Sequence, residues 1–572
     1  MKSWCENLCR PYGTPLNFPL APGLRLRLRP GLSYFAPMAL FFSRFGLHRG
    51  NTALVPIQTL KRRFARLTAL LLLAAAVPLA AQDLASYEKR VSVKTLPNGL
   101  TVVLWRRPEA PVFSFFTQVD AGSAQDPLNE TGLAHMMEHM AFKGTPDIGT
   151  TDYAAEKPAL AKVEQTYAAY EAERIKRVDQ DPKKLAELQK AWQDAIKEAD
   201  KYVVDNQFGE VVESHGGVGL NAFTNYDETA YMYSMPVNQI ELWAALESDR
   251  MMHPVMRQFY KERSVVMEER RMRTDSRPTG RLVEQFLGTA FMANPYHRPT
   301  IGYASDLQSF SATDAAEFFH HYYVPSNMVI GLVGDLDPDV VFPIIEKYFG
   351  RIPATPKPTE QTTIEAPQNS VREVTLHDPS QPFYLEGYHR PSYLAPDDAV
   401  YDAISDILSN GRTSRLYRSL VRDQKIAAYA AGFSGFPGNK YSHLFAFYAV
   451  PIPGHTTDEL QKAFQVEIQK LKTQDVTDDE LQMFKTRTKA DLIRGLASNE
   501  GLAEQLAYYQ TRYGDWRELF RYLDRVDKVS KADIRRVANQ VFQDNNRTIG
   551  VIETQTASSH PAPMPSKGAE QQ

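Results

Sequence analysis

A gapless internal repeat constrains this chain more than any other feature. Four pairs of residues recur at one offset of 219: Ser311 with Ser530, Asp314 with Asp533, Asn327 with Asn546, and Gly331 with Gly550. Apolar partners such as Tyr323 and Phe542 fall in step. Each copy reads as a Ser-capped helix leading through an Asn into a strand that ends on Gly. At 572 residues the chain is also too long for one ordinary core. The expected fold is α+β, with two homologous domains, each a mostly antiparallel sheet with helices packed on one face. The regular βαβ alternation of a doubly wound sheet is missing.

The N-terminal domain is expected over residues 88–352 and the C-terminal one over 370–556. Between them 353–369 is polar and Pro-rich (Pro353, Pro356, Pro358), as a linker should be. Val91 to Trp105 reads as two strands about a turn at Pro97-Asn98-Gly99, and Val112 to Val119 as a third. A helix follows over Gly132 to Phe142, paired strands over Leu220 to Met235, and a charged helix over Glu262 to Arg273. Residues 153–208 differ in kind, with no Gly, 21 charged residues and eleven Ala. Apolar positions there fall at helical spacing, and Asp179-Gln180-Asp181-Pro182 breaks the run. The segment is expected to be an inserted helical hairpin that lines or lids a substrate chamber. The Pro- and Ser-containing tail 557–572 is expected to be disordered.

Composition narrows the function. Hydrophobic residues at 43% and charged residues at 23% describe a folded protein. Residues 1–81 carry eleven Lys or Arg and one acid, Glu6, which leaves 54 basic and 67 acidic side chains in the body. An acidic body has no electrostatic footprint for nucleic acid. Both cysteines, Cys5 and Cys9, precede the body, so a metal there must be held by His and carboxylate. Lys61-Arg62-Arg63 and Arg66 flank the apolar run Leu67 to Ala81, the layout of a secretory signal over 60–81. An exported, periplasmic protein is expected, with a membrane-anchored form as the alternative. Residues 1–59 are read as a non-native upstream extension.

Chemistry concentrates in Gly132-Leu133-Ala134-His135-Met136-Met137-Glu138-His139. On a helix His135 and His139 lie one turn apart on one face, and two imidazoles there can reach one zinc ion. Glu138 is three residues after His135 and shares the face, where a carboxylate can accept a proton from water. The pattern H-x-x-E-H is a metalloprotease signature.

Ala134 to Thr145, reading AHMMEHMAFKGT, resembles the zinc helix of the pitrilysin/insulinase/mitochondrial processing peptidase family, the inverzincin zinc metallopeptidases. Leu220-Asn221-Ala222-Phe223-Thr224, followed by Asp227, Thr229 and Tyr231, is similar to that family's active-site edge strand. Glu262 to Glu269 resembles its second acidic helix. The likeness spans residues 88–556, as in a short two-domain bacterial-type member. It implies a zinc endopeptidase that hydrolyses peptides or unfolded segments in a closed chamber, with one Zn²⁺ per chain. His135 and His139 would be ligands and Glu138 the base that activates the zinc-held water. The third ligand would be Glu269, with Glu268 as competitor and Glu262 as supporting acid. Asn221, Ala222, Phe223 and Thr224 would take the substrate as an added strand.

Arg422 and Tyr429 look like the family's Arg/Tyr pair, which acts opposite the zinc from a second half-molecule. One chain carries one zinc half and one Arg/Tyr half, which implies a homodimer, or a heterodimer with a related chain. A non-catalytic structural or binding subunit of a related peptidase complex is the alternative. Such members usually lose the H-x-x-E-H residues, which this chain keeps.

Overall fold

The computed structural model describes residues 87–555. The expected upstream extension, the export signal and the tail lie outside the described residues. In the body, from Arg90 on, two sheets carry the fold. Strands β1 (Val91–Thr95), β2 (Thr101–Arg106), β3 (Val112–Val119), β4 (Val218–Thr224), β5 (Thr229–Pro236) and β6 (Met328–Gly334) form the first, in the order β1-β2-β6-β3-β5-β4. All neighbours are antiparallel except β2 and β6. The second sheet has β7 (Arg372–Asp378), β8 (Phe383–Arg390), β9 (Ala427–Phe436), β10 (His443–Pro451) and β11 (Arg547–Thr554), in the order β7-β11-β8-β10-β9. Its one parallel pair, β7 with β11, matches β2 with β6. The α+β reading with two sheets therefore holds.

The first half supplies α1 (Leu133–Met140), α2 (Tyr153–Arg174), α3 (Pro182–Ala199), α4 (Gln207–Ser214), α5 (Ile240–Met252), α6 (Phe259–Arg270), α7 (Pro278–Ala290), α8 (Ala304–Ser309), α9 (Ala312–Tyr322) and α10 (Pro338–Phe349). The second supplies α11 (Asp398–Ser409), α12 (Thr457–Thr473), α13 (Asp478–Gly495), α14 (Asn499–Tyr513), α15 (Glu518–Lys528) and α16 (Lys531–Val541). Between α2 and α3, Asp181 accepts hydrogen bonds from the Lys183 and Lys184 amides, and Pro182 opens α3. That is the break visible in the sequence.

The 219-residue repeat has a physical content. Ser311 and Ser530 each form a reciprocal capping box, with Asp314 and Asp533. Asn327 donates to Tyr322 O at 3.0 Å and Asn546 to Val541 O at 2.9 Å, each tying a helix end to the strand that follows. The two glycines mark a mutual exchange of helices. Helix α14 of the second half packs on β3 and β6 of the first sheet, where a Cβ on Gly331 would lie 2.1 Å from Ala503 O. Helix α7 of the first half packs on β7 and β11 of the second sheet, where a Cβ on Gly550 would lie 2.9 Å from Phe286. Each sheet thus has helices of its own half on one face and one borrowed helix on the other. The expectation of helices on one face described only the former.

Helix α1 is short and starts from a buried turn. Gly132 takes φ +98°, and a Cβ there would meet Ile301 O at 2.8 Å, so only Gly fits. Asp126 accepts from the Gly132 amide at 2.7 Å and from the Ala134 amide at 2.9 Å. Two of the open donors at this helix start are thereby satisfied. Burial pushes the Asp126 carboxyl up to about 7, against the pull of those two amides.

Gly331→Ala is expected to cost about 1–3 kcal/mol by forcing α14 off the sheet. In thermal denaturation Gly495→Ala, where nothing lies within 4 Å, should not lower the midpoint. Equal midpoints for the two variants would contradict the exchange as a tight contact. For Asp126 the folded-state value exceeds the ordinary carboxyl value of 3.8, so its contribution is full below that value and is lost as pH rises through about 7. The stability difference between roughly pH 5 and pH 8 should therefore shrink in Asp126→Asn, as urea denaturation would report. An unchanged slope would contradict it.

Candidate functional site

Helices α1 and α6 lie side by side, and their facing side chains meet. The rings of His135 and His139 sit 4.8 Å apart, centroid to centroid. Glu269 Oε2 lies 3.8 Å from His135 Nε2 and 3.6 Å from His139 Nε2. These separations exceed a hydrogen bond. They fit the edge of a tetrahedron whose bonds are about 2.0–2.2 Å, an edge of roughly 3.4 Å. His135, His139 and Glu269 form the one such His/acid cluster among the described residues. Glu269 Oε1 is held by Arg273, which leaves Oε2 directed at the imidazoles. Glu268, the competing acid, is exposed and pairs with Arg271.

Glu262 sits where two helical turns from Glu269 place it. Its Oε1 accepts from His139 Nδ1 at 2.9 Å, and its Oε2 receives Lys143 Nζ at 2.6 Å. With the proton on Nδ1, the His139 Nε2 lone pair faces the cluster. Lys143 and Arg273 were not singled out in the sequence. For Arg273 the available signal was spacing, four residues beyond Glu269, its partner; Lys143 lies past the end of α1 and reaches Glu262 across the chain, so no local pattern marks it.

Electrostatics agree with a cation-demanding site. Burial holds His135 far down, to about 3, in the neutral form that a ligand needs. Burial also works against a proton on His139, but Glu262, Glu269 and Glu138 outweigh it and lift that imidazole to about 9. Burial would raise Glu262 and Glu269. Their imidazole and cationic neighbours reverse this and hold both carboxyls near 2. Glu138 is raised by burial, partly offset by His139 and by a hydrogen bond from Thr224.

Strand β4 forms the edge of the first sheet beside α1. A bulge between Val218 and Asn221, with Gly219 at φ +74°, bends its start. Leu220, Asn221 and Ala222 line a cavity of about 520 Å³ with Glu138, His139 and Glu262. Thr224 lines a second cavity, of about 160 Å³, with His135 and Arg273. The four strand residues singled out in the sequence therefore run past the histidines. Phe223 faces the sheet, its ring 6.0 Å from Phe116. Of the segment 153–208, the return 203–208 lines the larger cavity, whereas α2 and α3 lie against α6.

Asp227, Thr229 and Tyr231 have other work. Thr229 donates to Ala121 O at 3.0 Å, and Tyr231 shares a 2.8 Å hydrogen bond with Tyr323. Asp227 accepts from the Asn439 and Lys440 amides of the second half at 2.8 and 3.1 Å. Beside it, Arg512 reaches Glu228 at 3.1 Å, and Lys440 and Lys357 reach Asp120 at 2.8 and 2.9 Å. The turn after β4 is therefore clamped by the second half.

Arg422 and Tyr429 are not brought to this site. Neither lines either cavity. Arg422 is exposed and paired with Asp423 at 2.7 Å, and Tyr429 lies on the edge strand β9 with its ring 5.3 Å from Tyr448.

Two family models match the chain. The one described as insulinase, peptidase family M16, covers residues 101–171 and 195–303, and the one described as peptidase M16 inactive domain covers 309–488. The chain is 28% identical over 476 residues to a zinc protease, PqqE, of Helicobacter pylori, covering 81% of this chain and 93% of that protein. It is 24% identical over 472 residues to a probable mitochondrial-processing peptidase subunit beta of Arabidopsis thaliana, covering 80% and 78%. The crystal structure of a protease from Helicobacter pylori superposes with a TM-score of 0.67 at 27% identity, covering 81% of this chain and 99% of that one. The chain belongs to the insulinase family of peptidases, family M16, as a bacterial-type member.

Proposed function

We propose that the chain is a zinc-dependent endopeptidase acting on peptides or unfolded segments held extended along β4. The observation that carries this reading is the convergence of two imidazole nitrogens and one carboxylate oxygen at zinc-ligand separations. His135, His139 and Glu269 would hold one zinc ion. When bound, the ion supplies Lewis acidity toward a peptide carbonyl and toward water. The match to the inactive-domain model covers 309–488 and leaves all three of these residues, and Glu138, outside it.

The remaining work falls to the chain's own groups. Glu138 stands on the ligand face, and its elevated carboxyl pKa suits it to take a proton from the attacking water and return it to the leaving amine. Glu262 fixes the His139 ring and its tautomer. The open edge of β4 offers backbone donors and acceptors to an extended peptide, so recognition rests on main chain as well as side chains. Arg422 and Tyr429 lie away from the cavities beside their own histidines, which supports a role at the site of a second chain. A guanidinium and a phenol there would stabilise the developing oxyanion. A homodimer closing a chamber around the substrate follows from this reading, with a heterodimer as the other assembly. The basic-flanked apolar run at 60–81 supports export to the periplasm.

Glu138→Gln is expected to keep its zinc and lose roughly 10²–10⁴-fold in kcat on a peptide library. Chelation should abolish cleavage by the wild type, and added zinc should restore it. Full activity in Glu138→Gln, or cleavage that survives metal removal, would overturn the assignment.

A further inference from the structure

The face of α6 opposite its acids is occupied by the hairpin α2–α3. Tyr260 of α6 packs against Tyr167 of α2 and Trp192 of α3, with ring centroids at 4.4 and 5.1 Å. Its hydroxyl donates to Glu164 of α2 at 2.7 Å. Arg263, the residue after Glu262, lies over both tyrosine rings and donates to Tyr167 Oη at 2.8 Å and to Phe310 O at 2.7 Å.

The start of α6 is tied more tightly still. Arg257, two residues before the helix, forms a two-pronged ion pair with Glu156 of α2, at 2.6 and 2.8 Å. Both side chains are almost fully buried, at 1% and 0% exposure. The same guanidinium donates to Lys143 O at 2.6 Å, Ile148 O at 3.1 Å and Thr145 O at 3.2 Å, all in the loop that leaves α1. Gly149 leaves room for it: a Cβ there would come within 2.6 Å of Arg257 Nη1. One buried cation therefore joins the exit of α1, the entry of α6 and the hairpin.

We propose that the hairpin is a brace for α6, and that Arg257 and Glu156 are positioning residues for the metal site. They set the spacing of α1 and α6, and on that spacing depends whether Glu269 meets His135 and His139. The inference rests on the metallopeptidase reading above. Arg257 borders the larger cavity with His139, but its hydrogen bonds go to Glu156 and to the loop that leaves α1 and none goes to a ligand, so the effect proposed for the pair is geometric. A bidentate pair suits the role, because a guanidinium fork fixes direction as well as distance. Ligand sets tolerate little misplacement, and small shifts imposed from a distance can cost orders of magnitude in rate.

The test uses the full-length protein with Glu156→Gln and, separately, Tyr260→Phe, which removes one hydrogen bond from the brace. Three quantities are read: zinc affinity by chelator competition, the melting temperature of the metal-free protein, and kcat and KM at saturating zinc. Glu156→Gln is expected to bind zinc about tenfold more weakly and to lose kcat with KM unchanged. Glu156→Asp, which keeps the charge, should recover part of the affinity. Tyr260→Phe should shift affinity in the same direction by a few-fold with little change in melting temperature, and it decides the matter if Glu156→Gln does not fold. Variants that melt earlier yet keep wild-type zinc affinity and kcat would show a purely structural pair and overturn the brace. A wild-type protein that binds no zinc would instead sink the metallopeptidase reading, and the brace with it.

Discussion

The site depends on holding three carboxylates and two imidazoles together in a half-buried space between α1 and α6. Glu138, Glu262 and Glu269 would repel one another there, and two cations, Lys143 and Arg273, answer them. Against burial, the same carboxylates favour positive charge on His139 and raise that imidazole to about 9. A divalent cation in the same place would answer that charge. The site is thus arranged around a positive charge that its own side chains only partly supply.

Such an arrangement cannot hold itself together, and the rest of the fold is organised to hold it. Asp126 fixes the start of α1, and Arg257 fixes its exit against the entry of α6. The turn after β4 is clamped by Arg512 and by the backbone amides of Asn439 and Lys440 from the second half. Helices α14 and α7 cross between the halves and cover the sheets reciprocally. The second half is therefore structural support for the first, in addition to the role proposed for Arg422 and Tyr429 in a neighbouring chain.

Much of this was legible in the sequence where the cause is local. Strand β3 falls on the expected residues, Val112 to Val119, because a short, continuously buried run rich in Phe and Val marks it locally. The pairing of His135 and His139 follows from helical spacing alone. The repeat disclosed two related halves, yet the purpose of Gly331 and Gly550 lies in helices borrowed from across the molecule, and no local pattern carries that. Arg257 and Glu156 are 101 residues apart. Glu156 is one charge among many in the segment 153–208 and Arg257 is the one Lys, Arg, Asp or Glu between Arg250 and Lys261, so nothing local links them and only their shared burial discloses the pair. The choice of Glu269 over Glu268 needed the direction of α6, which the facing α1 supplies. The part of 153–208 that reaches the cavity is its return, 203–208, because the helices before it are spent against α6.

In the function proposed above, His135, His139 and Glu269 together would grip one zinc ion. X-ray absorption at the zinc edge of the metal-loaded protein tests it most directly. The expected result is two imidazole nitrogens at about 2.0–2.1 Å with oxygen in the rest of the shell, and loss of one imidazole signal in His139→Ala. A shell of oxygen alone, or one unchanged by that substitution, would contradict it.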